Sequence, residues 1–288
     1  ADIFARYQRL IGNNVLMVSG SDMHGTPTAL VAQSLGVSPE SVATENHQAF
    51  VEAIEKFEIS FDLYTRTNTD VHAEVTQGLF SAILENGYLF EATQPMPFCL
   101  EEQRFLSDRF VEGVCPFCKY EKAGGDQCDN CGKTLDPVDL GGIRCTVDGS
   151  TPEFRDTSHY VFKLSALTER LLKWVEPQDH LRTQVRNMIL AMLRDGLPDR
   201  AITRDIEWGV PLPEGIKGYE NKRIYVWFEA VIGYLSASIA WARSTDNPDA
   251  WKDWWHNPSA RTFYFVGKDN TTFHMIFWPA ILMAQGGN

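Results

Sequence analysis

At 288 residues, with 44% apolar and 12% aromatic side chains, the chain has the length for one large domain, or for one domain carrying an insertion. A net charge of -12 argues against a general nucleic-acid binder, whose footprint is basic, but leaves room for a local basic surface. No apolar run approaches the ~20 residues needed to cross a bilayer, and the start, Ala1-Asp-Ile-Phe-Ala-Arg-Tyr-Gln, has no charged-then-apolar signal region.

Residues 1–11 carry apolar positions at helical spacing (Ile3, Phe4, Tyr7, Leu10, Ile11). After the turn Gly12-Asn13-Asn14, the run Val15–Ser19 predicts a strand buried on both faces, ending at Gly20-Ser-Asp22-Met-His24-Gly25-Thr-Pro27. Ser38-Pro39-Glu40 opens a helix as cap, first-turn proline and first-turn acid, with Phe50, Ile54 and Phe57 on its apolar face. Residues 61–65 read as a short strand and 70–86 as a second helix stopped by Gly87. This β-α alternation predicts an α/β fold, a Rossmann-type parallel sheet with covering helices.

From about Glu91 the pattern breaks into short apolar pieces and prolines, which reads as an inserted module of small strands. At its centre stand Cys115-Pro-Phe-Cys118 and Cys128-Asp-Asn-Cys131. Each tight turn presents two sulfurs, and four thiolates close a tetrahedron around a structural Zn²⁺. Two disulfides or four free thiols are the competing readings. A four-sulfur site leaves no position for water, so no chemistry is expected at the metal. Cys99 and Cys145 are left over and read as free thiols of a reducing cytoplasm.

Helices are expected over 165–174 and 181–194. Strands are expected at 206–210, at 223–226 and, as the clearest buried strand, at 262–266. Residues 227–234 lead into an apolar helix, and 271–284 forms a helix that Pro279 should kink. Both ends read as cut: residue 1 falls inside a helix pattern, and Gly286-Gly287-Asn288 trail the last helix.

In an open parallel sheet, ligands bind at the carboxyl ends of the strands. Those ends carry Asp22 and His24, then Trp227, then Gly267 and Asp269, with Phe273, His274 and Trp278 on the following helix. Asp22 suits an ammonium group, Asp269 a sugar hydroxyl, and Trp227, Tyr234, Phe273 and Trp278 an apolar side chain. Each has a plainer reading: helix caps for the two acids, core for the aromatics, a turn residue for His24 and a buried histidine for His274. Convergence at one sheet edge favours the site.

These residues fall in stretches that resemble the methionyl-tRNA synthetases of class I. The stretches are Gly20–Pro27, the cysteine pairs, Ile202-Thr-Arg204-Asp205 … Trp208-Gly209-Val-Pro211, Tyr225-Val-Trp227-Phe-Glu-Ala230-Val-Ile-Gly233-Tyr234, and Gly267-Lys-Asp269 … Phe273-His274 … Phe277-Trp278-Pro279-Ala280. They run through nearly the whole chain in the family's order. The resemblance implies a Rossmann catalytic domain (1–92 and 204–288) split by a connective-peptide insertion (93–203) with the zinc knuckle. It implies ATP, with Mg²⁺, as substrate, methionyl-adenylate as intermediate and tRNA(Met) as acceptor, with no membrane partner. Carried over, Asp22 binds the methionine ammonium, and Arg204 is its salt-bridge partner near the carboxylate and phosphate, the two being the catalytic pair. Val226, Trp227, Ala230, Tyr234, Phe273, His274 and Trp278 form the side-chain pocket, and Gly267 and Asp269 hold the adenosine.

Val231 stands where some members have proline. The family's His-x-Gly-His element, expected before Ala1, and its Lys-Met-Ser-Lys-Ser loop, expected beyond Asn288, are not in the sequence. Without those cationic donors, the 288 residues alone are expected to fold but not to form methionyl-adenylate at a useful rate. The competing readings are a non-catalytic zinc-bearing tRNA-binding or assembly module, another adenylate-forming enzyme, and a class I synthetase for an aliphatic amino acid.

Overall fold

The computed structural model describes residues 1–286, so Gly287 and Asn288, expected to trail the last helix, lie outside the described residues. The chain opens with α1 (Asp2–Leu10), β1 (Val18–Ser21), α2 (Thr26–Leu35), α3 (Pro39–Lys56), β2 (Leu63–Arg66) and α4 (Asp70–Glu85). β1 and β2 pair in parallel, from Val18 opposite Leu63 to Ser21 opposite Arg66, and the intervening helices make the crossover that parallel strands require. Side chains set the helix starts. Ser38 Oγ accepts the Ser41 N–H at 3.2 Å to begin α3, and Thr69 Oγ1 accepts the His72 N–H at 3.2 Å to begin α4.

Several expectations for this half are corrected. The ladder starts at Val18, so Val15 and Leu16 precede the strand. α2 was not expected, although Pro27 opens it and Gly36 closes it at φ 68°. Phe50 of α3 and Phe57, the residue that ends it, are 52% and 79% exposed, because α3 rests mainly on α2 and buries little of its own stripe.

The chain then turns to antiparallel pairing through β3 (Leu89–Cys99), β4 (Arg104–Phe105), β5 (Val111–Val114), β6 (Ala123–Gly124), β7 (Gly141–Cys145) and β8 (Glu153–Phe162). β3 and β8 run side by side from Leu89 opposite Phe162 to Phe98 opposite Glu153. β5, β6 and β7 form a separate three-stranded sheet. Around them Leu106, Phe110, Val111, Leu135 and Leu140 make a small core of their own. The main core gathers Phe80 and Ile83 of α4, Phe162 at the foot of β8, and Ile189, Phe228 and Trp278 from later elements.

After β8 come α5 (Thr168–Val175), α6 (Thr183–Asp195), β9 (Arg200–Ala201), β10 (Thr203–Arg204) and β11 (Arg223–Ile224), with β11 antiparallel to β10. The strand expected at 206–210 does not form. The Asp205 carboxylate is drawn to Lys222, to Thr157 at 3.0 Å and to His159 at 3.2 Å, which takes the chain out of the ladder. α7 (Val226–Glu229), α8 (Gly233–Arg243) and α9 (Lys252–Trp255) follow.

Residues 262–266 are neither a strand nor buried: Phe263 and Phe265 are more than half exposed. A strand persists only where a neighbour takes its N–H and C=O groups, and no described residue pairs with this segment. Phe4 of α1 meets it instead, with ring centroids 4.7 Å from Phe263 and 5.5 Å from Phe265. The last helix begins as a π turn, Phe273–Phe277, and continues as α10 (Trp278–Ala284). The wider turn absorbs the expected kink. It leaves Pro279 in the first turn of α10, where its missing N–H has no intrahelical role.

Two glycines test the packing in opposite directions. A Cβ on Gly20 would stand 2.8 Å from the Thr65 carbonyl across the parallel pair, while one on Gly78, in mid-α4, would meet nothing within 4 Å. Gly20→Ala is expected to destabilise the protein by about 1–3 kcal/mol. Gly78→Ala is expected to stabilise it by about 0.5–1 kcal/mol, since alanine is the better helix former. Urea titrations of the two variants beside the parent check both signs.

Candidate active site and metal centre

Asp22 follows β1 directly, and its Oδ1 accepts the His24 N–H at 3.3 Å. It caps no helix, because the residue before α2 is Gly25, without a side-chain cap. The residue is exposed as a whole, while neighbouring protein crowds its carboxyl. That crowding, and then the negative charge of Glu229, push its pKa up to about 7. The residue's exposure tempers the rise.

Glu229 is fully buried. Its Oε1 lies 3.0 Å from His24 Nδ1 and its Oε2 2.5 Å from His72 Nε2, while His72 Nδ1 meets Ser236 Oγ at 2.8 Å. Burial alone would raise the Glu229 pKa, but the two imidazoles bring it below its usual value. The carboxylate thus joins the loop carrying Asp22, the middle of the first half (α4) and the helix carrying Trp227.

The expected side-chain pocket is a packed aromatic set. Trp227 stacks on Phe273 with centroids 4.0 Å apart and planes 12° from parallel. Tyr234 meets Tyr264 edge-on at 5.1 Å, and Trp278 Nε1 donates to Tyr264 Oη at 2.8 Å. Val226 is buried and Ala230 is half-buried. His274 can be given a definite tautomer. The Asn270 carbonyl only accepts, so Nδ1 carries the proton and donates to it at 2.8 Å. Burial lowers the imidazole pKa. The bare Nε2 therefore accepts the Tyr234 O–H at 2.8 Å.

Gly267 and Asp269 are exposed in the loop before the π turn. The space where Gly267 would carry a Cβ is empty to 4 Å, so a flat group has access to its backbone. Asp269 lies within the short 3₁₀ turn Lys268–Asn270, whose cap is Gly267, so it is not a capping residue either. Arg204 is not brought into contact with Asp22. Its Nε donates to Asp108 Oδ1 at 3.1 Å, its Nη1 to the carbonyls of Ala201 and Thr203, and the guanidinium lies 3.9 Å over the Tyr225 ring.

The sulfurs of Cys115, Cys118, Cys128 and Cys131 all lie within 4.8 Å of one another. Cys115 and Cys131 are 3.9 Å apart and Cys118 and Cys128 3.5 Å. A tetrahedron with Zn–S bonds of about 2.3 Å needs sulfurs about 3.8 Å apart, so the residues fit zinc. The amide of Asn130 and then the Tyr120 backbone N–H bring the Cys118 pKa down to about 6, towards the thiolate a metal requires.

A family profile described as tRNA synthetases class I (M) matches residues 1–288. The methionine–tRNA ligase of Dehalococcoides mccartyi is 54% identical over 100% of this chain and 51% of its own length. The chain belongs to the class I methionyl-tRNA synthetase family. The family's ligases from Thermomicrobium roseum (98% of this chain, 48% of the relative) and Thermoplasma acidophilum (100% and 52%) are 52% and 46% identical. The chain spans about half the length of these curated relatives. Among solved structures, it superposes on Mycobacterium tuberculosis methionyl-tRNA synthetase bound by methionyl-adenylate with a TM-score of 0.73. That likeness covers 100% of this chain and 50% of the other at 25% identity.

Within this synthetase framework, sequence reasoning missed Glu229 and His72. Glu229 sat inside a quoted motif, and an acid between Phe228 and Ala230 in an apolar run signals a buried charge that needs partners. His72 gave no local signal, since its partner is 157 residues away.

Two outcomes follow from this geometry. Protein purified without chelator is expected to carry one tightly held zinc on the four cysteines, and Cys128→Ser to release it and loosen the insertion; plasma emission and limited proteolysis check this. Asp22 acts on stability with the opposite sign to a salt-bridged acid. Its folded pKa, about 7, lies above the unfolded one, so its contribution is intact below about pH 3.9 and is lost as pH rises through 7. Asp22→Asn is therefore expected to match the parent's melting temperature at pH 4 and exceed it at pH 8.

Proposed function

We propose that the chain is the catalytic region of a methionine–tRNA ligase, divided as 1–92 and 204–288 around a 93–203 insertion. The observation that carries this reading is the 54% identity to a methionine–tRNA ligase over the whole chain. The site chemistry supports it. The methionine carboxylate oxygen attacks the α-phosphorus of ATP, the bond to the β-phosphate oxygen breaks, and pyrophosphate leaves with its Mg²⁺. A hydroxyl of the terminal adenosine of tRNA(Met) then attacks the activated carbonyl, and AMP leaves.

In this reading the Asp22 carboxylate pairs with the methionine ammonium. Its raised pKa means that an arriving ammonium takes the place of a proton on the carboxyl. Trp227, Phe273, Tyr234, His274 and Trp278, with Val226 and Ala230, receive the side chain. A thioether is polarizable and favours ring edges and faces. The Tyr234 O–H is already given to His274, so the sulfur meets rings before it meets a donor. Gly267 and Asp269 take the adenosine, with Asp269 on the ribose. Arg204 reaches the substrate carboxylate and phosphate only after leaving Asp108. Zinc on the four cysteines holds the insertion together and takes no part in the chemistry. The family's setting in the cytoplasm belongs to the same proposal; no helix among the described residues is long and apolar enough to cross a membrane.

The test is methionine-dependent pyrophosphate exchange, with methionine binding followed by tryptophan fluorescence. Asp22→Ala is expected to weaken methionine binding by about 2 kcal/mol, roughly 30-fold. Trp227→Ala is expected to lower the preference for methionine over leucine. Parental affinity in Asp22→Ala would remove Asp22 from the ammonium site. Tighter binding of leucine than methionine by the parent would favour an aliphatic-specific synthetase.

A further inference from the structure

Three contacts pin the short loop that carries Asp22. The Met23 N–H donates to Thr67 Oγ1 at 3.0 Å, the Met23 carbonyl accepts the Trp208 Nε1–H at 2.8 Å, and His24 Nδ1 reaches Glu229 Oε1 at 3.0 Å. The Trp208 ring also meets His24 edge-on, with centroids 5.0 Å apart. Asp22 takes its direction from this loop, since its Oδ1 accepts the His24 N–H at 3.3 Å. Thr67 and Trp208 are neutral. Glu229 is the charged partner, and it leads on into the aromatic set, with Trp227 two residues before it and Ala230 directly after. Its second oxygen meets His72 Nε2 at 2.5 Å, and His72 Nδ1 meets Ser236 Oγ at 2.8 Å. The Ser236 hydroxyl donates to the Gly233 carbonyl at 3.2 Å, one residue before Tyr234. One chain of hydrogen bonds therefore runs from the Asp22 loop to the helix that carries Tyr234.

A neutral side chain could link two imidazoles without burying a charge. Burial opposes ionisation of Glu229, but the His24 and His72 imidazoles more than offset it and hold its pKa below the usual value. The resulting charge reaches Asp22, whose pKa burial, and then Glu229, raise to about 7. The other titratable groups on the elements around Asp22 are few. They are His24 in its own loop, His72 of α4, which faces Glu229, Arg66 of β2, opposite Ser21 on the ladder, and Tyr234 of α8, whose hydroxyl goes to His274. An ammonium group brought to Asp22 thus meets the charge of two acids, one that it pairs with and one buried nearby.

We propose that Glu229 is a positioning residue for amino-acid binding: through His24 it sets the Asp22 carboxylate for an ammonium group, and its own charge strengthens the hold on that cation, a role that rests on Asp22 being the partner of the methionine ammonium. Glu229 touches no substrate atom in this role. Its two effects are separable. Aiming the carboxylate changes affinity equally at every pH. The charge also sets the pH at which Asp22 exchanges its proton for an arriving ammonium, so it moves the midpoint of the pH dependence.

The experiment is calorimetric titration of the full chain with methionine between about pH 5 and 8. In the parent, affinity is expected to rise about tenfold per pH unit below a midpoint of about 7 and to level off above it. Glu229→Gln keeps the volume and removes the charge. Its midpoint is expected about one pH unit lower, and its affinity at about pH 8, where Asp22 is ionised in both proteins, about 10-fold weaker. Glu229→Asp keeps the charge on a shorter arm, and Trp208→Phe frees the Met23 carbonyl without altering any charge. Both are expected to weaken binding several-fold with the midpoint within about 0.3 unit of the parent's. A midpoint that stays put in Glu229→Gln overturns the proposal, as does one that moves as far in Glu229→Asp or Trp208→Phe. Should Glu229→Gln fail to fold, Glu229→Asp decides alone: weaker binding at an unmoved midpoint supports the proposal, and a full-unit move overturns it. A parent that binds no methionine at any pH would overturn the methionine reading itself, and the proposal with it.

Discussion

A negative charge with no solvent around it is the constraint on which the candidate site rests. Glu229 is fully buried, and an unpaired carboxylate there would be prohibitively unfavourable. It is tolerated because His24 and His72 reach it from two directions. The loop after β1, helix α4 and helix α7 must therefore meet at one point, which brings the segment carrying Asp22 to the helix carrying Trp227. The same charge acts on Asp22 directly, helping to hold its carboxyl protonated at a pH where most acids are ionised. Fold and electrostatics are coupled at this point.

The insertion is joined to the rest by a different kind of contact. The long β3–β8 ladder is continuous with the main core at Leu89 and Phe162, and ends in the small core at Cys99. Cationic side chains hold its flank. Arg200 reaches Asp136 at 2.7 Å and Thr134 at 2.8 Å, and Arg204 reaches Asp108 at 3.1 Å. Both arginines lie on the chain as it returns from α6: Arg200, at the end of the insertion, ties the insertion to itself, and Arg204, just beyond it, ties the insertion to the segment that re-enters the sheet domain. Arg204 consequently has two claims on it, one structural and present, the other proposed.

What the sequence disclosed follows from how local each signal is. The cysteine pairs, the Ser38 cap and the turn at Gly87 depend on neighbours within a few residues, and could be read. The main aromatic set was legible because its members recur at short spacing in two stretches. Residues 262–266 misled because a continuous apolar run describes only what a strand offers, and a strand also needs a ladder beside it. Residues 206–210 misled because Asp205 answers to His159 and Lys222, which are far away in sequence. Phe50 and Phe57 misled because amphipathic spacing says which face is apolar but not whether anything covers it.

The π turn at Phe273–Phe277 has a consequence for how this region changes with sequence length. A π turn holds one residue more than an α turn in the same rise. Deleting a single residue there would restore a regular α turn, and because that turn closes with one residue fewer, the segments on either side would keep their facing. Side chains within the turn, His274 among them, would be re-aimed, while Trp278 beyond it would keep its direction. The same deletion inside α10, where no residue is spare, would turn everything upstream by about 100° about the axis. The π turn is thus the one stretch of this helix that can lose a residue without dividing the aromatic set.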